Sequence, residues 1–241
     1  TNLLNVHNDL LNIGKNLEEN KNFNDLDDLW NHFCKVDRSK GGALYNGFKF
    51  LPSIPAIAYS DDMQSKLQKI CKIKHPALID INCRIDSKGD EKFLFDWHQD
   101  YWFSVSSRNA AVVWIPVTGL EPSLGGLEIV PFKSNDLKIY NTKAGDTYNS
   151  YADAVKLDDE IPSEKAVKVE NIDMGSALFF SFSSLHKSLP ITNKNRSRFT
   201  IQLRFVDYCD KEFISNNYKP GQVSKQAIDY LKKQPQEKIN G

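Results

Sequence analysis

The sequence has no surplus of either charge. Lysine plus arginine and aspartate plus glutamate balance at 31 each. Nothing in that balance favours a nucleic-acid backbone or an anionic membrane, both of which attract a basic excess. Paired thiols are missing too. Cys34, Cys71, Cys83 and Cys209 contain no Cys-x-x-Cys step and no His–Cys spacing of a zinc site, so reduced, mostly buried thiols in a cytoplasmic protein are expected. No apolar run approaches about 18 residues, and no signal-peptide pattern opens the chain. No glycine-rich phosphate fingerprint follows a strand-like stretch, which argues against a dinucleotide fold. With no internal repeat and no dividing linker, residues 1–241 read as one domain.

What is present changes character along the chain. Residues 1–75 read as a helical N-terminal part. Leu3, Leu4, Leu10, Leu11 and Leu17 recur at near-helical spacing, and Leu26, Leu29, Trp30 and Phe33 repeat the pattern behind an N-cap at Asn24 or Asp25. Gly41-Gly42 is expected to stop that helix, and Pro52 and Pro55 to forbid a long one over 43–60. Asp61 to Ile73 again reads as helical. From Ala77 to Tyr208 the pattern is of short strands and turns: Ala77–Asp86, Phe93–Phe103, Ala110–Val117, Leu127–Phe132, Lys165–Asn171, Ser176–Ser183 and Arg198–Tyr208. Many short strands behind flanking helices predict a mainly β fold of sandwich or jelly-roll type. Residues 133–162, rich in Tyr, Asn and Asp, have no periodicity and suit a lid or a surface excursion. In the polar tail, 209–241, Ser224 to Lys233 reads as a weak amphipathic helix.

The chemistry centres on Asp96-Trp97-His98-Gln99-Asp100-Tyr101-Trp102-Phe103. On a strand, His98 and Asp100 share a face, with Trp102 continuing the row. That gives two members of a 2-His-1-carboxylate facial triad of the kind that binds non-heme iron. By itself the pair is weak, because composition alone supplies about 0.4 His-x-Asp pairs in such a chain. A later Gly turn and aromatic strand, Gly175 to Phe182, leads to His186-Lys187-Ser188, a distal His delivered to the end of a β-structure. Beyond it, Arg198-Phe199-Thr200-Ile201-Gln202-Leu203-Arg204-Phe205 alternates cleanly. Its polar face, with Arg198, Thr200, Gln202 and Arg204, fits either solvent or a lined cavity. In a cavity, Arg198 and Thr200 would clamp a carboxylate. His7, His32 and His75 read as ordinary helix or surface residues.

The order His98-x-Asp100, His186, Arg198 resembles the phytanoyl-CoA dioxygenase-like family. The resemblance covers roughly residues 78–207. Trp97-His98-Gln99-Asp100, Val113 to Val117 followed by Gly125 to Pro131, and His186-Lys187-Ser188 are each similar to its motifs, and Ile81 to Asp86 is similar to a strand of its ectoine hydroxylase branch. Phe132-Lys133-Ser134 departs from the family's Gly-Ser-His, and the His-to-Arg gap is one residue longer than usual. Arg196 therefore competes with Arg198, which is favoured because it keeps register with the alternation and with Thr200.

The resemblance implies a double-stranded β-helix, a cupin-like jelly roll, that binds Fe(II) through His98, Asp100 and His186. It implies 2-oxoglutarate as co-substrate, held by Arg198 with Ser188 and Thr200 and flanked by Trp114 and Asn82, and dioxygen as oxidant. A small-molecule substrate would face Arg84, Tyr101, Trp102 and Phe103. Related halogenases replace the triad carboxylate with a small residue, so Asp100 implies hydroxylation, with release of succinate and CO2. The alternatives are a non-catalytic jelly-roll binding module and a cupin-like metalloenzyme that uses no 2-oxo acid. Substrate identity and oligomeric state are not written in the sequence.

Overall fold

A computed structural model describes residues 2–19, 21–102, 107, 109–131, 138–140, 157, 160–215 and 217–218. Five helices lead: α1 (Asn2–Leu17), α2 (Leu26–Val36), α3 (Arg38–Phe48), α4 (Ser53–Ala58) and α5 (Asp61–Lys69). Asp25 caps α2 by accepting from the Asp28 N–H, which satisfies one of the donors a helix start leaves open. The expected stop at Gly41-Gly42 is not observed, because α3 runs through both glycines. The break falls instead at Asp37, whose extended backbone ends α2 and whose carboxylate caps α3 through the Ser39 N–H. Two glycines cost a helix about 2 kcal/mol of propensity. Burial of Leu44 and Phe48 on the same helix offsets that cost.

Seven strands follow: β1 (Pro76–Asp86), β2 (Ala110–Pro116), β3 (Leu127–Ile129), β4 (Val167–Val169), β5 (Leu178–Ser181), β6 (His186–Ser188) and β7 (Arg198–Asp207). They form two antiparallel sheets, a four-stranded one ordered β1-β7-β2-β5 and a three-stranded one ordered β4-β3-β6. A short helix, α6 (Lys211–Ser215), ends the described core. This is the jelly roll expected, mainly β with flanking helices. One expected strand is absent. Residues 91–102 form two short 3-10 turns, Glu91–Phe93 and Asp100–Trp102, around an isolated bridge at His98. The unforeseen β6 pairs with β3, and the His98 bridge lies along its other side. The predicted helix over Ser224 to Lys233, and most of 133–162 including Tyr148 and Tyr151, lie outside the described residues.

The large sheet separates two environments. Phe199, Ile201, Leu203 and Phe205 of β7, with Val113 and Ile115 of β2, pack on Leu29, Phe33 and Phe48 of the helices in one continuous core. Of the positions at helical spacing, Leu3, Leu10, Leu26, Leu29, Trp30 and Phe33 are core and Leu11 and Leu17 pack against it, as their pattern indicates, whereas Leu4 is exposed. The opposite faces of β1, β7 and β2 look into a cavity between the sheets, and there the polar rows lie.

Candidate active site

Two histidines meet across a single antiparallel bridge. The His98 N–H donates to the His186 carbonyl at 3.0 Å and the His186 N–H returns to the His98 carbonyl at 3.1 Å. Their rings lie 4.1 Å apart between centroids. Each Nδ1 faces a backbone carbonyl, Asp96 O at 2.7 Å for His98 and Ser184 O at 3.0 Å for His186. A carbonyl only accepts, so the proton sits on Nδ1 and the Nε2 lone pair is left for a metal. Burial is the main reason both imidazoles are pushed toward the neutral form. His98 falls to about 3, with the neighbouring His186 adding to the effect, and His186 moves the same way.

Asp100 completes the group. Ligand atoms of His98, Asp100 and His186 all lie within 4.8 Å of one another, and the three residues are buried. Asp100 Oδ2 is 3.6 Å from His186 Nε2, while its other oxygen accepts from Arg204 Nη2 at 2.7 Å. Burial alone would raise this carboxyl. The Arg204 guanidinium, helped by the imidazoles, outweighs that and keeps it below the usual carboxylate range. Two neutral imidazoles and one carboxylate on one side of a point form the donor set of a facial triad with open positions, which suits Fe(II). The geometry differs in detail from the strand reading. His98 and Asp100 converge because a bridge residue is followed at once by a 3-10 turn.

The triad opens into a cavity of about 870 Å³. Three cross-strand pairs line one wall: Asn82 opposite Gln202, Arg84 opposite Thr200, and Asp86 opposite Arg198. The polar row of β7 is therefore a lined cavity face and not an exposed edge. Arg198 is 3% exposed. Its Nη2 donates to Asp86 at 3.1 Å and its Nη1 to the carbonyls of Leu124, Gly126 and Leu189 at 3.3–3.4 Å. Gly125 and Gly126 let those carbonyls converge. A Cβ on Gly126 would stand 2.0 Å from Val169 O, and Gly125 has φ +61°.

Among the described residues, Arg198 Nε and Thr200 Oγ1 are buried with no hydrogen-bond partner. A buried guanidinium N–H and a buried hydroxyl left open are costly. A carboxylate would satisfy both, so the residues present fit the distal end of a 2-oxo diacid. Ser188, Trp114 and Asn82 line the same cavity. Arg196 does not. It sits outside, paired with Asp27 at 3.3 Å and Glu121 at 3.0 Å, so of the two competing arginines Arg198 is the one that lines the cavity.

Of the residues expected to face substrate, Arg84 lines the cavity. Its guanidinium is held by Asp86 and the Phe93 carbonyl and lies 5.3 Å over the Phe95 ring. Tyr101 and Trp102 are not among the cavity residues. Tyr101 packs with Phe180 and Val206 in an apolar cluster. Trp102 packs with Trp97, Tyr140 and Leu185 and donates to Tyr140 O at 2.9 Å. The 3-10 turn after Asp100 swings both rings away, so no Asp100–Trp102 row exists. Phe103 lies outside the described residues. His32 is not partnerless either, since it faces Glu18 at 3.1 Å.

Four contributors were given no role by the sequence reading. Arg204 bridges Asp80 and Asp100 at 2.6 and 2.7 Å. Asp86 is shared by Arg84 and Arg198. Burial would raise its carboxyl, but the two guanidiniums together outweigh burial and lower it. The signal was present as complementary alternation, Asp80-x-Asn82-x-Arg84-x-Asp86 against Arg198-x-Thr200-x-Gln202-x-Arg204. Gln99, fully buried between the two ligands, donates to Ser183 O and Lys138 O and accepts from the Tyr140 N–H. No pattern marks it.

SnoK, a non-heme alpha ketoglutarate dependent carbocyclase from nogalamycin biosynthesis, is 14% identical, with 73% of this chain and 69% of that chain covered and a TM-score of 0.51. The likeness is one of fold. EvdO2 from Micromonospora carbonacea var. aurantiaca is 14% identical over 67% of this chain and 68% of that one, with a TM-score of 0.46. AviO1 from Streptomyces viridochromogenes Tue57 is 14% identical over 66% of this chain, which spans 62% of that one, with a TM-score of 0.43. A search of curated proteins finds no match. The model of the family described as phytanoyl-CoA dioxygenase (PhyH) matches residues 11–200, a span that carries the triad, Arg198 and Thr200. The chain thus belongs to the phytanoyl-CoA dioxygenase family, the non-heme iron and 2-oxoglutarate-dependent oxygenases that its motif order resembles.

Proposed function

We propose that this protein hydroxylates a small molecule, consuming 2-oxoglutarate and dioxygen and releasing succinate and CO2. The observation that carries the reading is the pair of unpartnered atoms, Arg198 Nε and Thr200 Oγ1, in the cavity that also holds the triad. The rest of the Arg198 guanidinium is matched by Asp86 and by three backbone carbonyls, whereas its Nε is not.

When bound, iron and 2-oxoglutarate supply the oxidant for a substrate C–H bond. The protein's part is placement. His98 and His186 present Nε2 because their Nδ1 protons are held by carbonyls. Asp100 presents Oδ2 because Arg204 occupies Oδ1. Arg198 and Thr200 anchor the distal carboxylate, with Ser188 beside them, and Trp114 and Asn82 flank the co-substrate. Phe95 and Phe180 pack at a tilt against the ligand imidazoles, with centroids 5.0 and 4.8 Å away, and cover them with apolar surface. Retention of Asp100 supports hydroxylation, because no coordination position is released for a halide.

The test is anaerobic addition of 2-oxoglutarate to the Fe(II)-loaded protein, followed by oxygen and a substrate panel. A charge-transfer band that appears with 2-oxoglutarate, and a product one oxygen heavier than its substrate, are the expected results. A product lighter by two hydrogens would replace hydroxylation with desaturation or ring closure. Absence of both the band and 2-oxoglutarate turnover would refute the assignment.

A further inference from the structure

One wall of the cavity carries a charge that the triad itself does not use. Helix α3 turns Arg38 and Tyr45 to the cavity, and Lys49, the residue after it, keeps helical backbone at φ −67° and ψ −13°. Residues spaced by seven and eleven fall on one helical face, so all three border the cavity, with Arg38 and Lys49 on its exposed rim, while Leu44 and Phe48 face the core. Arg38 donates to the Cys34 sulfur at 3.7 Å, and Lys49 lies 5.1 Å over the Phe50 ring. Among the described residues neither pairs with a carboxylate.

The other lining charges are already committed. Asp86 is shared by Arg84 and Arg198, and Arg204 is shared by Asp80 and Asp100. An Fe(II) dication and a 2-oxoglutarate dianion cancel each other. That leaves Arg38 and Lys49 against one acid, Asp90, at the α3 wall, a net surplus of one positive charge. The same cavity is lined by the rings of Trp30, Phe93 and Phe95. The Phe95 ring lies 5.0 Å from His98, Phe93 follows it, and Trp30 is held in place by its Nε1 bond to Ser87 Oγ at 2.8 Å.

We propose that the substrate is an amphipathic carboxylate whose anionic end docks on α3 between Arg38 and Lys49. Its apolar body lies along Trp30, Phe93 and Phe95 and places a C–H bond at the iron. This rests on the oxygenase reading above and adds the chemical class of its substrate. One surplus charge suits a monoanion. Two cations on one helical face fix a head group, and the flat rings accept a hydrocarbon without demanding hydrogen bonds.

The experiment uses the anaerobic Fe(II) protein with saturating 2-oxoglutarate, so that Arg198 is already engaged. ω-Phenylalkanoates of graded length and their primary amides are titrated by calorimetry at low salt. The best carboxylate should bind about fivefold to tenfold more tightly than its amide, as two part-exposed ion contacts allow. The Arg38→Gln/Lys49→Gln double variant should bring that ratio near one with 2-oxoglutarate affinity unchanged. The Arg38→Lys/Lys49→Arg variant, which keeps both charges, should retain the preference. No carboxylate preference in the wild type, or a preference that survives the double glutamine variant, overturns the proposal. 2-Oxoglutarate is titrated first in the same cell, and its failure to bind would strike the oxygenase reading separately.

Discussion

Arg198→Met is the perturbation with the sharpest consequence. The side chain is buried and holds Asp86, but Arg84 also holds Asp86, so the acid keeps a partner after the substitution. What disappears is the open Nε and the charge behind it. A charge-assisted hydrogen bond is worth about 1.5–3 kcal/mol, and leaving a buried charge without its counterion costs about 3–5 kcal/mol. If a 2-oxoglutarate carboxylate is that counterion, its Kd should rise by roughly two to three and a half decades. Calorimetric titration of the anaerobic Fe(II) protein measures this directly. Arg196→Met is the control. Its partners Asp27 and Glu121 lie away from the cavity, and 2-oxoglutarate affinity should stay within about twofold. Unchanged affinity in Arg198→Met, or a large loss in Arg196→Met, would refute the reasoning.

Other consequences follow from the groups around the triad. Arg204→Leu strands Asp100 in the interior and should lower metal-free stability by about 3–5 kcal/mol in urea unfolding, with metal addition restoring part of it; a change under about 1 kcal/mol would contradict the pairing. The histidines set a pH dependence. Their folded-state pKa values are lowered, to about 3 for His98 and in the same direction for His186, so between pH 6.5 and 5 the unfolded chain takes up protons that the folded one refuses. Metal-free stability should therefore fall with falling pH, approaching about 1.4 kcal/mol per unit from His98 with His186 adding in the same direction, and a flat profile there would contradict buried neutral imidazoles. Gln99→Leu leaves the Tyr140 N–H and the Ser183 carbonyl without their partner. It should cost about 1–3 kcal/mol and speed hydrogen exchange at Tyr140; unchanged exchange would show that Gln99 does not hold that segment.

The parts of the fold legible in the sequence are those written as period. Alternation in β7 placed Phe199, Ile201, Leu203 and Phe205 in the core and Arg198 and Thr200 on the other face, because a strand cannot turn one set inward without turning the other out. Helical spacing found the Leu and Trp stripes for the same reason. The Gly41-Gly42 stop misled because propensity is a weak term beside burial of Leu44 and Phe48. At residues 97–102 the aromatic run looks like a strand, but a carboxylate ligand had to reach the same point as His186, and a 3-10 turn brings it there. That turn is set by tertiary contacts, and with it went the expectation that Tyr101 and Trp102 face substrate. Gln99 bonds only to backbone groups far along the chain, and such partners leave no trace in local pattern.

The most direct measurement of the central claim is the conversion of 2-oxoglutarate to succinate by the purified protein, with and without Fe(II). An Fe(II)-dependent conversion that is lost in His98→Ala and in His186→Ala is the expected result. Succinate formation that survives loss of either histidine, or none at all from Fe(II)-loaded protein across the carboxylate panel, would contradict it.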